Sequence, residues 1–324
     1  MLFFITVLRT LAACLITNAH YTGIYPTDLI ANGGLIGDII FFAVSGYCLC
    51  NVKGNFVRWY SKRVVRCYLP VLLITGLYML LGFYSLSDHT ALWWYVYPTY
   101  YHFVASIIVL YIPFYIIMKI EMLKKHILHI MLLLFVVCVT VYLLPIYDKS
   151  YYHIDTVREP MIRFLFMESM LLGAYFKQRG MSACSGLKLR YVFGTAICFI
   201  VYFASKIVFS KISTLSYFQI FNWFAIFALL YFIFSLFASL ENNLNRMPEW
   251  LKVIITYLST ITLEIYVVQY VIIDLVRPLF GFPLNWIVLT ASILVAATLL
   301  HFMCKGILNG FDIAMDKIKN KQKD

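Results

Sequence analysis

The stretch FFITVLRTLAACLITNAHY, residues 3–21, decides the fold class. It is apolar for long enough to cross a bilayer as a helix, yet it carries Arg9 in its first half and His20 at its far end. Eleven residues separate the two, which is about three helical turns and roughly 16 Å, so both side chains project from one face. We predict a transmembrane helix whose arginine and histidine face a polar interior.

Arg9 admits two interpretations. A guanidinium inside hydrocarbon costs about 2.5–3.5 kcal/mol on insertion scales, a cost that is tolerated where the arginine serves a site. Alternatively, Arg9 lies only eight residues from the start of the chain, so its long side chain can extend to the cytosolic headgroups. The histidine on the same face favours a functional pair.

The whole chain has the composition of a polytopic membrane protein. Of its 324 residues, 63% are hydrophobic and 13% are charged, and that charged share is about half the share in a water-soluble domain. The net charge of +11 does not indicate nucleic-acid binding, because the basic residues cluster in short loops between apolar runs. The eight cysteines fall mostly within apolar runs and without metal-ligand spacing, so we expect reduced packing residues and no metal site.

Ten apolar segments predict an all-α integral membrane protein, a bundle of about ten transmembrane helices. Nineteen Lys and Arg fall on one side of these segments and five on the other, which places both termini in the cytosol under the positive-inside rule. We predict a transmembrane domain over residues 1–310 and a basic cytosolic tail over 311–324 that lies on anionic headgroups. The segments lie near residues 2–19, 33–52, 67–85, 101–119, 126–147, 159–178, 190–210, 217–239, 251–275 and 283–309.

Three further stretches place polar groups in or beside apolar runs. The second segment contains Asp38 and Ser45, which are candidate site residues. The alternative is that Asp38 sits in the outer headgroup layer and that Ser45 bonds a carbonyl one turn back. Arg63 and Arg66 share a helix face and form either a phosphate clamp or a topology signal in contact with lipid. The ninth segment buries Glu264, and an intramembrane carboxylate indicates a functional site or a neutralised pair.

Two other stretches contain an interfacial aromatic run and a pair of charges within an apolar segment. The aromatic run WWYVYPTYYHF, residues 93–103, is typical of a membrane–water interface on the outer side. The sixth segment contains Arg163 and Glu168 five residues apart, which is an awkward angle for a direct pair on one helix. We expect each of these two charges to find a partner elsewhere.

The motifs, taken in order, resemble the membrane acyltransferase 3 family. LRTLAA followed by His20 resembles its first helix, IIFFAVSGY its second-helix signature, RVVR at 63–66 its arginine-x-x-arginine element, and TLEIYVVQ its late signature. The matches span residues 6 to about 270. Two departures stand out: the acidic residue, Asp38, is one place early, and Gln269 stands where many members carry histidine.

The resemblance implies a bacterial cytoplasmic-membrane O-acyltransferase. Such an enzyme moves an acetyl or other short acyl group from acyl-CoA to a hydroxyl of a cell-envelope polysaccharide or lipid-linked glycan. Its partners are acyl-CoA, the carbohydrate acceptor and the bilayer, without nucleic acid or a permanently bound cofactor. Its implied catalytic residues are His20, Arg9, Glu264 and Asp38, and its implied acyl-CoA-binding residues are Arg63, Arg66, Arg9 and Ser45.

Within that reading His20 has two possible roles. It acts as the general base for the acceptor hydroxyl or as a covalent acyl relay, with Glu264 or Asp38 orienting its ring. The donor phosphates belong on the cytosolic side and His20 near the outer side, so the pantetheine arm must thread into the bundle or a relay must bridge the gap.

Two functions of other classes fit the same composition. One is a transporter or flippase for lipid-linked glycans, and the other is a non-enzymatic partner in a polysaccharide export complex. No internal repeat of the kind that many transporters show is visible, which favours the enzyme.

Overall fold

The computed structural model describes residues 2–96, 102–157, 159–180 and 188–321. Part of the predicted aromatic stretch, Arg158, Cys184 and the end of the basic tail lie outside these residues. All regular structure in the described residues is helical. The α-helices are α1 (Phe3–Ala19), α2 (Gly34–Leu49), α3 (Phe56–Leu80), α4 (Ala91–Val96), α5 (His102–Lys119), α6 (Glu121–Lys125), α7 (Ile127–Leu143), α8 (Ile162–Gln178), α9 (Leu189–Lys211), α10 (Phe221–Ser239), α11 (Glu241–Leu244), α12 (Glu249–Thr260), α13 (Thr262–Val276) and α14 (Leu284–Lys321).

The long helices confirm the all-α membrane class. Five of them are long and apolar enough to cross a membrane, or six if the bent pair α12–α13 is counted as one span. The helices α1, α2 and α7 are apolar but shorter. The count of ten spans and the cytosolic location of both termini stay predictions.

Exposed apolar side chains show which surroundings the bundle requires. On α9, Phe193, Ile197 and Ile200 are each about 60% exposed or more. A row of exposed apolar groups on a long helix is unfavourable in water and is satisfied by lipid. The protein is therefore a multi-pass membrane protein.

Three helices depart from the predicted segments. The last, α14, continues to Lys321, past the predicted end near 309 and into the predicted tail. Helix α3 begins at Phe56, whereas the third predicted segment began near 67. The helix starts earlier because the Asn55 side chain accepts a hydrogen bond from the Arg58 amide at 3.0 Å and caps it there. The basic loop is therefore helical. The ninth predicted segment, 251–275, is broken at Ile261, where α12 and α13 meet at a bend of 70°. Glu264 lies in the first turn after this break.

Helix α2 packs between α1 and α8, and its contact with α8 is a close backbone crossing. A Cβ added to Gly46 would overlap the carbonyl of Met170, and a Cβ added to Gly173 would overlap the carbonyl of Ala43. Glycine is therefore required on both helices, because no side chain fits between the two backbones.

The N-terminus of α1 is held by a carboxylate from another helix. Glu241 accepts hydrogen bonds from the amides of Phe3 at 2.8 Å and Phe4 at 2.7 Å. Free amides and the positive end of the helix dipole both favour an anion at this position. This contact, together with a 2.9 Å bond from the Thr10 hydroxyl to the Ile255 carbonyl on α12, fixes the helix that carries Arg9.

The two charges predicted inside the sixth segment have different surroundings. Arg163 donates to the Glu159 carbonyl at 2.6 Å. Glu168 is 2% exposed, and neither of its carboxylate oxygens has a hydrogen-bond partner among the described residues. The expected partner for Glu168 is therefore not seen.

Candidate functional site

A cavity of about 690 Å³, the inner cavity, lies among α1, α2, α3, α13 and α14. Its lining includes the single carboxylate Glu264 among the residues that the structure describes. Every acyl-CoA-binding residue implied by the resemblance lies on its wall. The basic side chains around it are Arg9, Lys62, Arg63, Arg66 and Lys305.

Arg9 faces this cavity and contacts the protein interior. Its Nη2 lies 3.7 Å from Cys48 Sγ on α2, and Ser45, one turn earlier on α2, lines the same space. The guanidinium is half-buried. Arg9 thus lies where a ligand of the inner cavity can reach it, as the functional interpretation of the sequence requires.

Arg63 and Arg66 reach the same cavity from α3 but are held differently. The Arg63 guanidinium lies 4.4 Å from the centre of the Trp59 ring, and its Nη1 donates to the Trp59 carbonyl at 3.0 Å. Arg66 is exposed, and no hydrogen bond or ion pair engages it within the described part of the chain. One arginine is therefore fixed and the other can move toward a ligand.

Glu264 is paired with a histidine that the sequence reasoning missed. His301 on α14 donates from Nδ1 to Glu264 Oε1 at 2.8 Å, since a carboxylate can only accept. Glu264 is 7% exposed, so its charge is compensated in place. The available signal was weak: His301 is the one histidine in the last apolar segment, 283–309.

A second cavity of about 400 Å³, the outer cavity, lies beyond the end of α1. His20 and Asp38 both line it, together with His102, Tyr266 and Tyr270. The ring of His20 meets Tyr270 edge-on at 5.1 Å between centroids, and Asp38 is 5% exposed.

The two cavities separate the residues that the resemblance implies as catalytic. Arg9 and Glu264 line the inner cavity, whereas His20 and Asp38 line the outer one. Of the two carboxylates considered as partners for His20, only Asp38 shares its cavity, and Glu264 is bonded to His301 instead. The 16 Å expected along α1 thus spans two compartments.

A small cavity of about 10 Å³ lies between these compartments. It shares Phe41, Thr262 and Leu263 with the inner cavity and Ile16 with the outer one. That volume is about the space of a single water molecule. The two large cavities therefore lie in series through the bundle and are separated by a constriction.

Within the described ranges, no three His, Cys, Asp or Glu side chains lie close enough together to hold a metal ion. None of the cysteines that the structure describes, Cys48 in the inner cavity among them, forms a disulfide bond.

A family model described as an acyltransferase domain, acyltransferase 3, matches residues 2–304 of the chain. The match covers α1 to most of α14 and therefore includes both cavities. No curated protein and no solved structure matches the chain.

Proposed function

This chain belongs to the acyltransferase 3 family and is a membrane acyltransferase, and we propose that acyl-CoA is its donor and a glycan hydroxyl its acceptor. The acyl group is acetyl or another short chain. The acceptor is a polysaccharide or lipid-linked glycan of the cell envelope, and the membrane is the bacterial cytoplasmic membrane.

The charge of the inner cavity carries the donor assignment. Five basic side chains surround it, and the carboxylate on its wall is already bonded to His301. Such an excess of positive charge suits a ligand with several phosphates, and the arginine forks among these residues match phosphate oxygens. Coenzyme A has this chemistry and is confined to the cytosol, the side on which the charge bias of the loops puts Arg63 and Arg66.

His20 supplies the base in the outer cavity. The acceptor hydroxyl attacks the thioester carbon while its proton passes to the neutral imidazole; the C–O bond forms, the C–S bond breaks, and the coenzyme A thiolate leaves and takes up a proton. Asp38 lies in the same cavity and is the carboxyl group proposed to orient the imidazole. A relay through an acyl-imidazole uses the same side chain and differs in leaving a covalent intermediate that can be trapped.

The proposed donor spans both cavities. The phosphates stay among the arginines of the inner cavity, while the pantetheine arm must displace the side chains at the constriction, whose space is about one water molecule, to reach His20. Binding of the remote part of the donor thereby positions its reactive end. This arrangement reconciles a cytosolic donor with a base near the outer side.

The test is acyl transfer by the purified protein in lipid nanodiscs. We expect coenzyme A to bind, measured by titration, and radiolabelled acetyl-CoA to lose its label to an envelope glycan fraction. The double variant Arg63→Gln with Arg66→Gln should bind less donor. A protein that neither binds coenzyme A nor releases it would overturn the proposal, and glycan movement across vesicles without acyl transfer would favour a flippase.

A further inference from the structure

Tyr270 on α13 lies beside the proposed base in the outer cavity, yet neither the motifs nor the proposed function gives it a role. Its ring and that of His20 meet edge-on at 5.1 Å between centroids, and both side chains line the outer cavity together with Asp38. A phenolic hydroxyl both donates and accepts hydrogen bonds. Tyr270 therefore brings a proton donor into the compartment that contains His20.

A chain of hydrogen bonds leads from the backbone of α5 to the Tyr270 hydroxyl. It starts at the Phe103 amide, which lies in the first turn of α5, where an N–H group has no partner within its own helix. The Phe103 backbone bonds to the Tyr266 hydroxyl, and the Tyr266 hydroxyl bonds to that of Tyr270. Tyr266 is 7% exposed, and its ring centre lies 5.9 Å from that of Tyr270. The Tyr270 hydroxyl is therefore held from inside the protein.

The order of these bonds gives their direction. An amide only donates, so the Tyr266 oxygen accepts from Phe103, and the Tyr266 proton is directed to the Tyr270 oxygen. Successive hydrogen bonds of this kind polarise one another, which strengthens the last donor. The last donor is the Tyr270 hydroxyl, on the wall of the cavity that contains His20.

We propose that Tyr270 donates a hydrogen bond to the carbonyl oxygen of the acyl group under attack and stabilises the oxyanion that forms there. The inference rests on the proposed function, because it assumes that acyl transfer takes place at His20. A fixed donor aimed at developing negative charge in a site of low dielectric constant lowers the barrier more than the same donor does in water.

The electrons and protons of this step balance. When the acceptor oxygen bonds to the acyl carbon, the π electrons of the C=O bond move to the carbonyl oxygen, and His20 takes the hydroxyl proton. When the C–S bond breaks, the carbonyl forms again and the thiolate leaves. Tyr270 keeps its proton throughout. The same oxyanion forms if the His20 imidazole attacks first, so the assignment holds for the base and for the relay.

The first test compares Tyr270→Phe with Tyr78→Phe, since each change removes one oxygen atom and keeps the ring. Tyr78 is 5% exposed, donates to the Val268 carbonyl of α13 at 2.7 Å and lines none of the cavities described. In Tyr270→Phe we expect transfer at saturating substrates to fall by ~10²–10³-fold. Coenzyme A affinity should stay within about twofold of the wild type, because the donor phosphates bind in the other cavity. Equal losses of transfer in the two variants would overturn the inference.

Tyr266 is a positioning residue, because it acts through Tyr270. Tyr266→Phe should lower transfer by about tenfold, since it removes the bond that directs and polarises the Tyr270 hydroxyl. In a Tyr270→Phe background the same change should have almost no further effect, which a double-mutant cycle on the transfer rate measures. Additive losses would show that Tyr266 supports the fold and not the donor.

A second acyl donor separates the failure of this inference from the failure of the proposed function. p-Nitrophenyl acetate has no phosphates, so its reaction needs the outer cavity alone. We expect a rate above that of His20→Ala, lowered in Tyr270→Phe by the same ~10²–10³-fold as the thioester reaction. This result in a protein that does not use acetyl-CoA would overturn the proposed donor and support the inference. Undiminished acetyl-CoA transfer in Tyr270→Phe would overturn the inference alone, and a wild type no faster than His20→Ala with either donor would overturn both.

Discussion

The inner and outer cavities lie in one apolar bundle, yet their polar side chains differ in kind. The inner cavity gathers five basic side chains and a carboxylate that is bonded to a histidine. The outer cavity contains His20 and a buried Asp38. An excess of fixed charge suits an anion, whereas an imidazole and a carboxyl group in one cavity suit proton transfer. Under the proposed function, binding belongs to one compartment and chemistry to the other, and the following variants test that division.

The largest effect is expected from His20→Ala. Loss of the base should reduce acyl transfer by ~10²–10⁴-fold, while coenzyme A affinity stays unchanged because the donor phosphates lie in the other cavity. Transfer and titration are measured on the same preparation, with His129→Ala on α7 as the control. Residual transfer within about tenfold of the wild type would remove His20 from the chemistry.

Arg9→Lys should impair transfer by about thirtyfold although the charge is kept. The planar fork of arginine makes paired bonds to phosphate or carboxylate that an ammonium does not reproduce. Arg9→Leu, at matched expression, should be at least as impaired. Full activity in the lysine variant would instead support the snorkelling interpretation, because lysine reaches headgroups equally well.

The double variant Arg63→Gln with Arg66→Gln should weaken coenzyme A binding by about twentyfold, with the loss greatest at low salt. Transfer at saturating donor should change much less, because the outer cavity is untouched. Arg58→Gln is the matched control: it carries the same charge on the same helix but lies outside the cavity lining. An equal loss of coenzyme A affinity in the control would show that the effect comes from general surface charge and not from the cavity.

His301→Ala should weaken coenzyme A binding by about fivefold, because it leaves the Glu264 carboxylate uncompensated in a cavity built for anions. Adding Glu264→Gln should restore the affinity, since the unpaired charge is then gone. A double-mutant cycle on the affinity measures this coupling. Additive losses would mean that the 2.8 Å pair does not act on donor binding.

Helix positions and family membership were accessible from the sequence. Long apolar runs indicate membrane helices through their length alone, and the four motifs indicated the family that the match over residues 2–304 confirms. The start of α3 was missed because a hydropathy pattern begins only where apolar residues dominate. Residues 56–66 are basic but still form a helix once Asn55 caps it.

The site was only partly predictable for a different reason. Arg9, Arg63, Arg66 and Ser45 line one cavity, and their role in binding the donor stays a prediction. The Glu264–His301 pair joins residues 37 positions apart on two helices, and no spacing rule reports a contact across helices. The break at Ile261 is equally a matter of packing, since a continuous apolar run gives no sign of a 70° bend.

The crossing of α2 and α8 has a consequence for motion. With the Gly46 and Gly173 backbones against each other, these two helices have no side-chain layer in which to slide or rotate. Helix α2 carries Ser45 into the inner cavity and Asp38 into the outer one, so both compartments share a static wall. Under the proposed function, an opening that admits a sugar or releases coenzyme A is then expected away from this wall, and the 70° bend between α12 and α13 is the place where we expect a hinge.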